Sequence, residues 1–284
     1  MIEIVSWNVE RLARHLSDTA PPLRDIVRAL GQPAIFCLQE LALRPIDHEL
    51  VARMTAALPG YACHFSLCRD SANATFRGGR MYGVATYVAE SLHPSAPRTF
   101  AWDREGRVVV TELPDDKLAI VNVYAVNGTS KPYFDHDRGH VVGDRHAWKR
   151  RFIELLASEC QALKARGLHL VLVGDWNVSR AKIDVHPRLR VEEPHALARA
   201  AFNDVFLPSL DVVDIFRHLH PTERKYTWFS RRVRPPKLDA ARVDFALVSE
   251  ALVPRVVVAD IHDAEEQRHG SDHAPLFVRL RSEE

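Results

Sequence analysis

The sequence predicts a mixed α/β fold in which two packed β-sheets are flanked by helices. Short apolar, β-branched runs recur along all 284 residues, at lengths that suit buried strands. Segments of helical periodicity interrupt those runs irregularly, and not once per strand as strict βαβ winding would require. Two neighbouring runs, 108–113 and 118–124, are joined by Pro114-Asp115-Asp116-Lys117, a turn composition that makes them an antiparallel hairpin.

In chain order, strands are expected at residues 2–6, 34–38, 83–88, 108–113, 118–124, 168–173, 243–248 and 275–280. Helices are expected at 23–30, 47–58, 148–166 and 195–207, the third closed by Gly167 in the position of a C-terminal cap. The turn-rich stretches 127–145 and 230–242 are expected to be long surface loops. No repeat, low-complexity tract or Gly/Ser linker divides the chain, so one domain is expected over 1–284.

Composition narrows the function only by exclusion. The apolar fraction is 46% and the charged fraction 26%, near the averages of globular proteins, and no apolar run approaches a membrane span. An apolar strand pattern starts at Ile2 with no leader ahead of it, which makes the cytoplasm the expected location. Cys37, Cys63, Cys68 and Cys160 form no CxxC pair and imply no disulfide framework. A formal charge of +1 lacks the basic excess of a passive nucleic-acid coat, so a polyanion site must be a local patch. A monomer without membrane contact is expected.

The chemistry follows a repeated rule: an acid, amide or imidazole stands at the end of an apolar strand. Asn8 follows the first run, Glu40 the second, and Tyr124 closes the fifth. Asp175 and Asn177, two residues apart in Gly174-Asp175-Trp176-Asn177, are expected to share one side of an extended segment. Asp244 opens its strand, and Ser271-Asp272-His273 precedes another. Those two strands must therefore run opposite to the earlier ones if all the groups are to meet.

These residue types suit a hard cation and a phosphate. Mg²⁺ takes oxygen ligands, typically one or two carboxylates, which Glu40 with Asp272 or Asn8 can supply, with Mn²⁺ as an alternative. Asp175 can serve as the base that deprotonates water, Asn177 and His273 can hold non-bridging oxygens, and Asp244 can orient His273 through its other ring nitrogen. Taken singly, each such residue is as well explained as a turn former or cap. Tyr124 has the competing explanation of an ordinary strand aromatic, Trp7 and Trp176 read as core, and the tract 135–140 (Asp-His-Asp-Arg-Gly-His) as a solvated loop.

Six segments in order carry a resemblance. Residues 6–10 (Ser-Trp-Asn-Val-Glu), 37–40 (Cys-Leu-Gln-Glu), 122–124 (Asn-Val-Tyr), 174–177, 242–244 (Arg-Val-Asp) and 270–275 (Gly-Ser-Asp-His-Ala-Pro) resemble the motifs of the endonuclease/exonuclease/phosphatase superfamily. Residues 211–230 further resemble the exonuclease III type of abasic-site endonuclease. The resemblance implies a four-layered, DNase I-like α/β sandwich and Mg²⁺-dependent cleavage of DNA 5′ to abasic sites in base excision repair. It also implies possible 3′-to-5′ exonuclease or 3′-end cleaning activity. It places Asn8, Glu40 and Asp272 in the metal region and Asp175 at water activation. Asn177, Tyr124 and His273 fall on the phosphate, and Asp244 behind the histidine.

Two departures leave the substrate open. Leu41 stands where such repair enzymes commonly carry a lysine, and Ala241 where many carry a tryptophan that encloses the sugar. Trp228 is offered to the same pocket, with core packing as its competing role. DNA contacts are expected from backbone-directed cations at the two loops: Arg145, Lys149, Arg150 and Arg151 around one, Arg231, Arg232, Arg234 and Lys237 in the other. A general nuclease or a phosphatase on the same scaffold is the alternative, and a catalytically silent binding module is disfavoured because every site position carries a competent residue.

Overall fold

The computed structural model describes residues 1–17, 21–73, 82–233 and 237–282. The first sheet has six strands, from one edge to the other β15 (Val256–Ile261), β16 (Leu276–Leu280), β1 (Ile2–Asn8), β2 (Ile35–Gln39), β4 (Val84–Ala89) and β3 (Tyr61–Ser66). The second has five: β11 (Val212–Asp214), β14 (Asp244–Ser249), β9 (His169–Asp175), β6 (Leu118–Tyr124) and β5 (Val108–Leu113). Only β1 with β2 and β6 with β9 are parallel, so both sheets are mixed. All eight expected strands are present, within a residue or two of their expected ends.

The layers follow from burial on both faces. Ile2, Ile4 and Cys37 of the first sheet pack against Ile120, Val171 and Val173 of the second. The outer face of the first sheet is covered by helices α1 (Leu23–Ala29) and α2 (His48–Thr55), with Ile26 and Met54 against Trp7 and Phe36. The outer face of the second is covered by α3 (Arg145–Ala165) and by the segment 201–206 that continues α4 (Glu193–Ala200), with Phe152, Phe202 and Phe206 against Trp176 and Phe245. This is the four-layered sandwich, and Trp7 and Trp176 are wholly buried in it. Central strands covered on both faces read as continuous apolar runs, which is why they are visible in the sequence. Of the strands missed in these two sheets, β3 and β15 are half-exposed edges with weak patterning and β11 is an edge of only three residues.

Both expected loops carry structure of their own. Residues 127–145 contain the hairpin β7 (Pro132–Asp135) and β8 (His140–Asp144). The tract 135–140 is its turn, with Asp135 accepting the amides of Asp137 and Arg138. Helix α3 starts three residues before its expected start, because the Asp144 carboxylate accepts the Ala147 amide at 2.9 Å and caps it. In the second loop, β13 (Ala240–Ala241) pairs with β12 (Trp228–Phe229) and β10 (Val185–His186) to form a small third sheet. The expected helix 195–207 begins at Glu193 and passes through a wider π turn over 201–206 into α5 (Leu207–Leu210). Among the described residues, no helix is long and apolar enough to cross a membrane.

Candidate active site

The strand ends converge on one rim. In the second sheet Asp175 stands opposite Asp244 on one side and Tyr124 on the other. In the first, Asn8 stands opposite Gln39, which leaves Glu40 as the next residue out. As the residue chemistry required, β14 runs antiparallel to β9 and β16 antiparallel to β1, which brings Asp244 and His273 to this rim from the other direction. The close approach of β9 to β6 needs Gly174, whose φ is +137° and where a Cβ would lie 1.9 Å from the Val123 oxygen.

A buried amide network fixes how the two sheets meet beneath the rim. Asn122 donates to the Ala85 and Leu38 carbonyl oxygens at 2.9 and 3.2 Å, and accepts from Gln39 Nε2 at 2.7 Å. Both side chains are fully buried. Their place within two of the quoted motifs was the only sequence signal, and it gave no hint of a cross-sheet clasp.

The polar groups at the rim interlock. Asp175 is 2% exposed and accepts Asn8 Nδ2 at 3.0 Å and the Asn177 amide at 2.8 Å. Asn177 does face the same place as Asp175, but not by strand alternation: it lies beyond β9 with φ of +51°, and its side chain donates to the Ala125 oxygen at 3.0 Å. His273 Nδ1 bonds Asp244 Oδ2 at 2.9 Å, and its Nε2 lies 3.9 Å from Asp175 Oδ2. Burial works against charge on His273, yet Asp244 and then Asp175 raise its pKa, holding the imidazole protonated. Burial and then Asp244 raise the pKa of Asp175. The hydroxyl of Tyr124 donates to Glu40 Oε1 at 2.6 Å, so this tyrosine reaches into the site.

Behind these groups lie supports that sequence reading did not find. Thr227 Oγ1 accepts the amides of Val243 and Asp244 at 3.0 Å each and sets where Asp244 begins its strand. Ser271 Oγ donates to the Asn8 oxygen at 2.7 Å, joining β1 to the histidine loop. Arg107 is stacked between the rings of Tyr82 and Tyr124, 3.9 and 4.8 Å from their centres. It is ion-paired with Glu105, which also pairs with Arg145. Arg242 joins Asp184 at 2.8 Å and Asp214 at 2.8 Å, all three buried.

Several expected roles change. Asn8, expected in the metal region, accepts the Glu10 amide through its oxygen at 3.0 Å and donates its nitrogen to Asp175, so it is also tied directly to that aspartate. Arg145 is expected on DNA, but it is buried in the pair with Glu105 and unavailable to a phosphate. Lys149 lies in α3, within the expected helix, but is 5% exposed, with Nζ 2.5 Å from the Asn177 oxygen, and burial lowers its pKa to about 8. Arg151 is paired with Glu154 at 3.1 Å, and Arg231 with Glu10. Arg232 and Lys237 are exposed, and Arg234 lies outside the described residues.

A cavity of about 300 Å³ opens at this rim, lined by Glu40, Tyr124, Asp175, Asn177, Asp272 and His273 among others. Trp228 and Ala241, directly paired across β12 and β13, line it too, and Trp228 Nε1 lies 3.3 Å from Asp272 Oδ2. Trp228 is thus a half-exposed wall of the cavity and not core. Leu41 is fully buried in the first sheet's outer core, so no cation replaces the missing lysine at that point. Asp175, Asp244 and His273 place one ligand atom each within 4.8 Å of one another, a group able to hold a metal.

The profile of the Endonuclease/Exonuclease/phosphatase family matches residues 5–273. The chain belongs to this family. It is 30% identical over 282 residues to Recombination repair protein 1 of Drosophila melanogaster, covering 98% of this chain and 37% of that protein. It is 25% identical to DNA-(apurinic or apyrimidinic site) endonuclease 2 of Xenopus laevis, covering 99% of this chain and 60% of that one. It therefore spans less than two thirds of either relative. The crystal structure of the Xenopus laevis APE2 catalytic domain superposes with a TM-score of 0.74 at 25% identity, covering 98% of this chain and 91% of that one. The 3′ phosphatase NExo from Neisseria, bound to a product DNA hairpin, has the same fold, with a TM-score of 0.72 at 23% identity over 99% of this chain and all of that one.

Proposed function

We propose that this family member is a Mg²⁺-dependent phosphodiesterase of DNA, cutting 5′ to abasic sites and trimming 3′ ends, as a single catalytic domain acting as a monomer in the cytoplasm. The observation that carries it is the line Asp244–His273–Asp175 with Asn8 and Asn177 bonded to the same aspartate. In our scheme Asp175 takes a proton from the attacking water, its raised pKa bringing its basicity toward neutral pH. The protonated His273 neutralises charge gathering on a non-bridging oxygen, and Asp244 fixes which ring nitrogen faces the phosphate. Asn177 and Tyr124 position the remaining phosphate oxygens.

Glu40 and Asp272 are the oxygen donors on the cavity wall that suit Mg²⁺ or Mn²⁺, and Asp244, whose buried Oδ1 has no partner among the described residues, groups instead with Asp175 and His273. When bound, the ion supplies Lewis-acid charge neutralisation at the phosphate. A general nuclease or phosphatase on this scaffold is favoured by one observation, the open wall at Ala241. The deciding experiment offers abasic duplex, recessed 3′ ends, single strands, RNA and soluble phosphoesters to the purified protein, with Mg²⁺ or with chelator. Fastest turnover is expected on abasic duplex, and none with chelator. Chelator-resistant turnover would sink the metal assignment, and preference for RNA or soluble esters would sink the DNA assignment.

A further inference from the structure

Lys149 is a buried cation to which the chemistry at the rim gives no task. It is 5% exposed, and among the described residues no carboxylate lies within ion-pairing distance of it. Its ammonium donates to the Asn177 oxygen at 2.5 Å. An ammonium taken out of water against a neutral carbonyl lowers fold stability, because one such bond does not replace the hydration of a full charge. Burial is the largest influence on this lysine and depresses its pKa, with Asp175 raising it and Arg107 lowering it further. An apolar side chain of the same length would fill the place without that loss.

The surroundings hold the charge where it is. Helix α3 is fastened to the second sheet through Phe152, Ile153 and Leu156. Lys149 borders a small cleft together with Ile153, Trp176, Val178 and Phe202, and Trp176 and Val178 are the residues on either side of Asn177. Asn177 itself has φ of +51°, a left-handed conformation that is unfavourable for a residue with a side chain and persists where its surroundings hold it. Three bonds do so. Its amide donates to Asp175 Oδ1 at 2.8 Å, its Nδ2 to the Ala125 oxygen at 3.0 Å, and its own oxygen takes the Lys149 ammonium. The first two bonds arise at the strand ends, and the third comes from the helix layer. Because ψ of Asn177 sets where its oxygen points, holding that oxygen holds the turn.

We propose that Lys149 is a positioning residue, which grips the Asn177 carbonyl from α3 and so locks the left-handed turn that presents Asn177 to Asp175 and to the phosphate. The lysine acts on the reaction through Asn177, and the charge it buries lowers the stability of the fold. The inference deepens the phosphodiesterase reading of this cavity and rests on that reading for the phosphate.

Lys149→Met, which keeps the length and removes the donor, tests it by three measurements. The Asn177 amide, bonded to Asp175, should exchange its hydrogen about tenfold faster, while the amides of residues 152–156 exchange as before. The urea midpoint should stay unchanged or rise. In Mg²⁺-dependent cleavage of abasic duplex, kcat should fall about tenfold with KM nearly constant, and the slope of log affinity against log salt should not move. A raised KM with a slope reduced by about 0.9 would make Lys149 a DNA contact and overturn the inference. So would a lowered urea midpoint with faster exchange throughout α3, which would make the lysine a support of the helix alone. Unaltered Asn177 exchange together with unaltered kcat overturns it as well, and leaves the DNA assignment standing. A protein inactive on every DNA in which Lys149→Met still frees the Asn177 amide would support the turn lock and overturn the DNA assignment.

Discussion

Two walls of one cavity are built on different terms. The strand-end rim holds Asp175, Asp244 and His273 at most 6% exposed, the two aspartates on sheet ladders and the histidine on an isolated bridge to Trp228. The wall from Arg188 to Arg199 is exposed or half-exposed and comes from a connecting segment and a two-turn helix. The rim can therefore hold charges where hydrogen bonding and burial tune them, whereas the wall supplies charge with little positional constraint. Two buried ion networks tie them together. Arg242 links the strand of Asp244 to Asp184 at the start of the wall, and Glu105 links Arg107, behind Tyr124, to Arg145 at the start of α3.

That division can be broken at the rim, at the ties and at the wall. At the rim, Asp175→Asn should slow single-turnover cleavage by roughly 10²–10⁴-fold with the fold intact. A loss of only several-fold would remove it as the base. At the first tie, Arg242→Ala leaves Asp184 and Asp214 buried with one fewer cation and should cost about 3–5 kcal/mol in urea unfolding. A cost below about 1 kcal/mol would mean that Arg180 and Arg217, which also pair with these acids, suffice.

At the second tie, burial would raise the Glu105 carboxyl, but Arg107 and Arg145 hold it down at about 2, from an ordinary 4.5. A depressed acid adds stability above its unfolded pKa and loses it as pH falls toward the folded value. Glu105 should therefore contribute on the order of 3 kcal/mol at neutral pH, fading between about pH 4.5 and pH 2. Glu105→Gln should flatten that limb of the stability profile, and an unchanged limb would assign acid unfolding elsewhere.

At the wall the effects are smaller. Ala241→Trp fills the space beside Trp228 and should raise KM for a nucleotide-bearing substrate about tenfold while kcat moves less. A fall in kcat alone would mean that the tryptophan reaches the rim. Smallest of all, Arg232→Ala should reduce the slope of log affinity against log salt by about 0.9 on duplex DNA. No change would remove this exposed arginine from the DNA footprint.

Much of the rim was legible because its residues sit at the ends of strands buried on both faces, where an apolar run stops at a polar residue. Asn177 was placed correctly for an incorrect reason, since a left-handed turn and not strand alternation returns it to Asp175. Lys149 was expected to face DNA from the start of a helix and instead lies nearly buried beside Asn177, a meeting of residues 28 apart that spacing along the chain does not show.

The sequence by itself determined the strands, the hand in which the catalytic strands must run and the identity of most groups at the rim. Periodicity and chain order are local properties and survive in one dimension. The tertiary structure alone decided that Asn8 donates to Asp175, that Arg145 is spent on Glu105, and that scattered cationic or ionisable residues from 146 to 199 line one cavity. Those outcomes depend on which side chains meet across long separations, and no spacing along the chain encodes the distance between them.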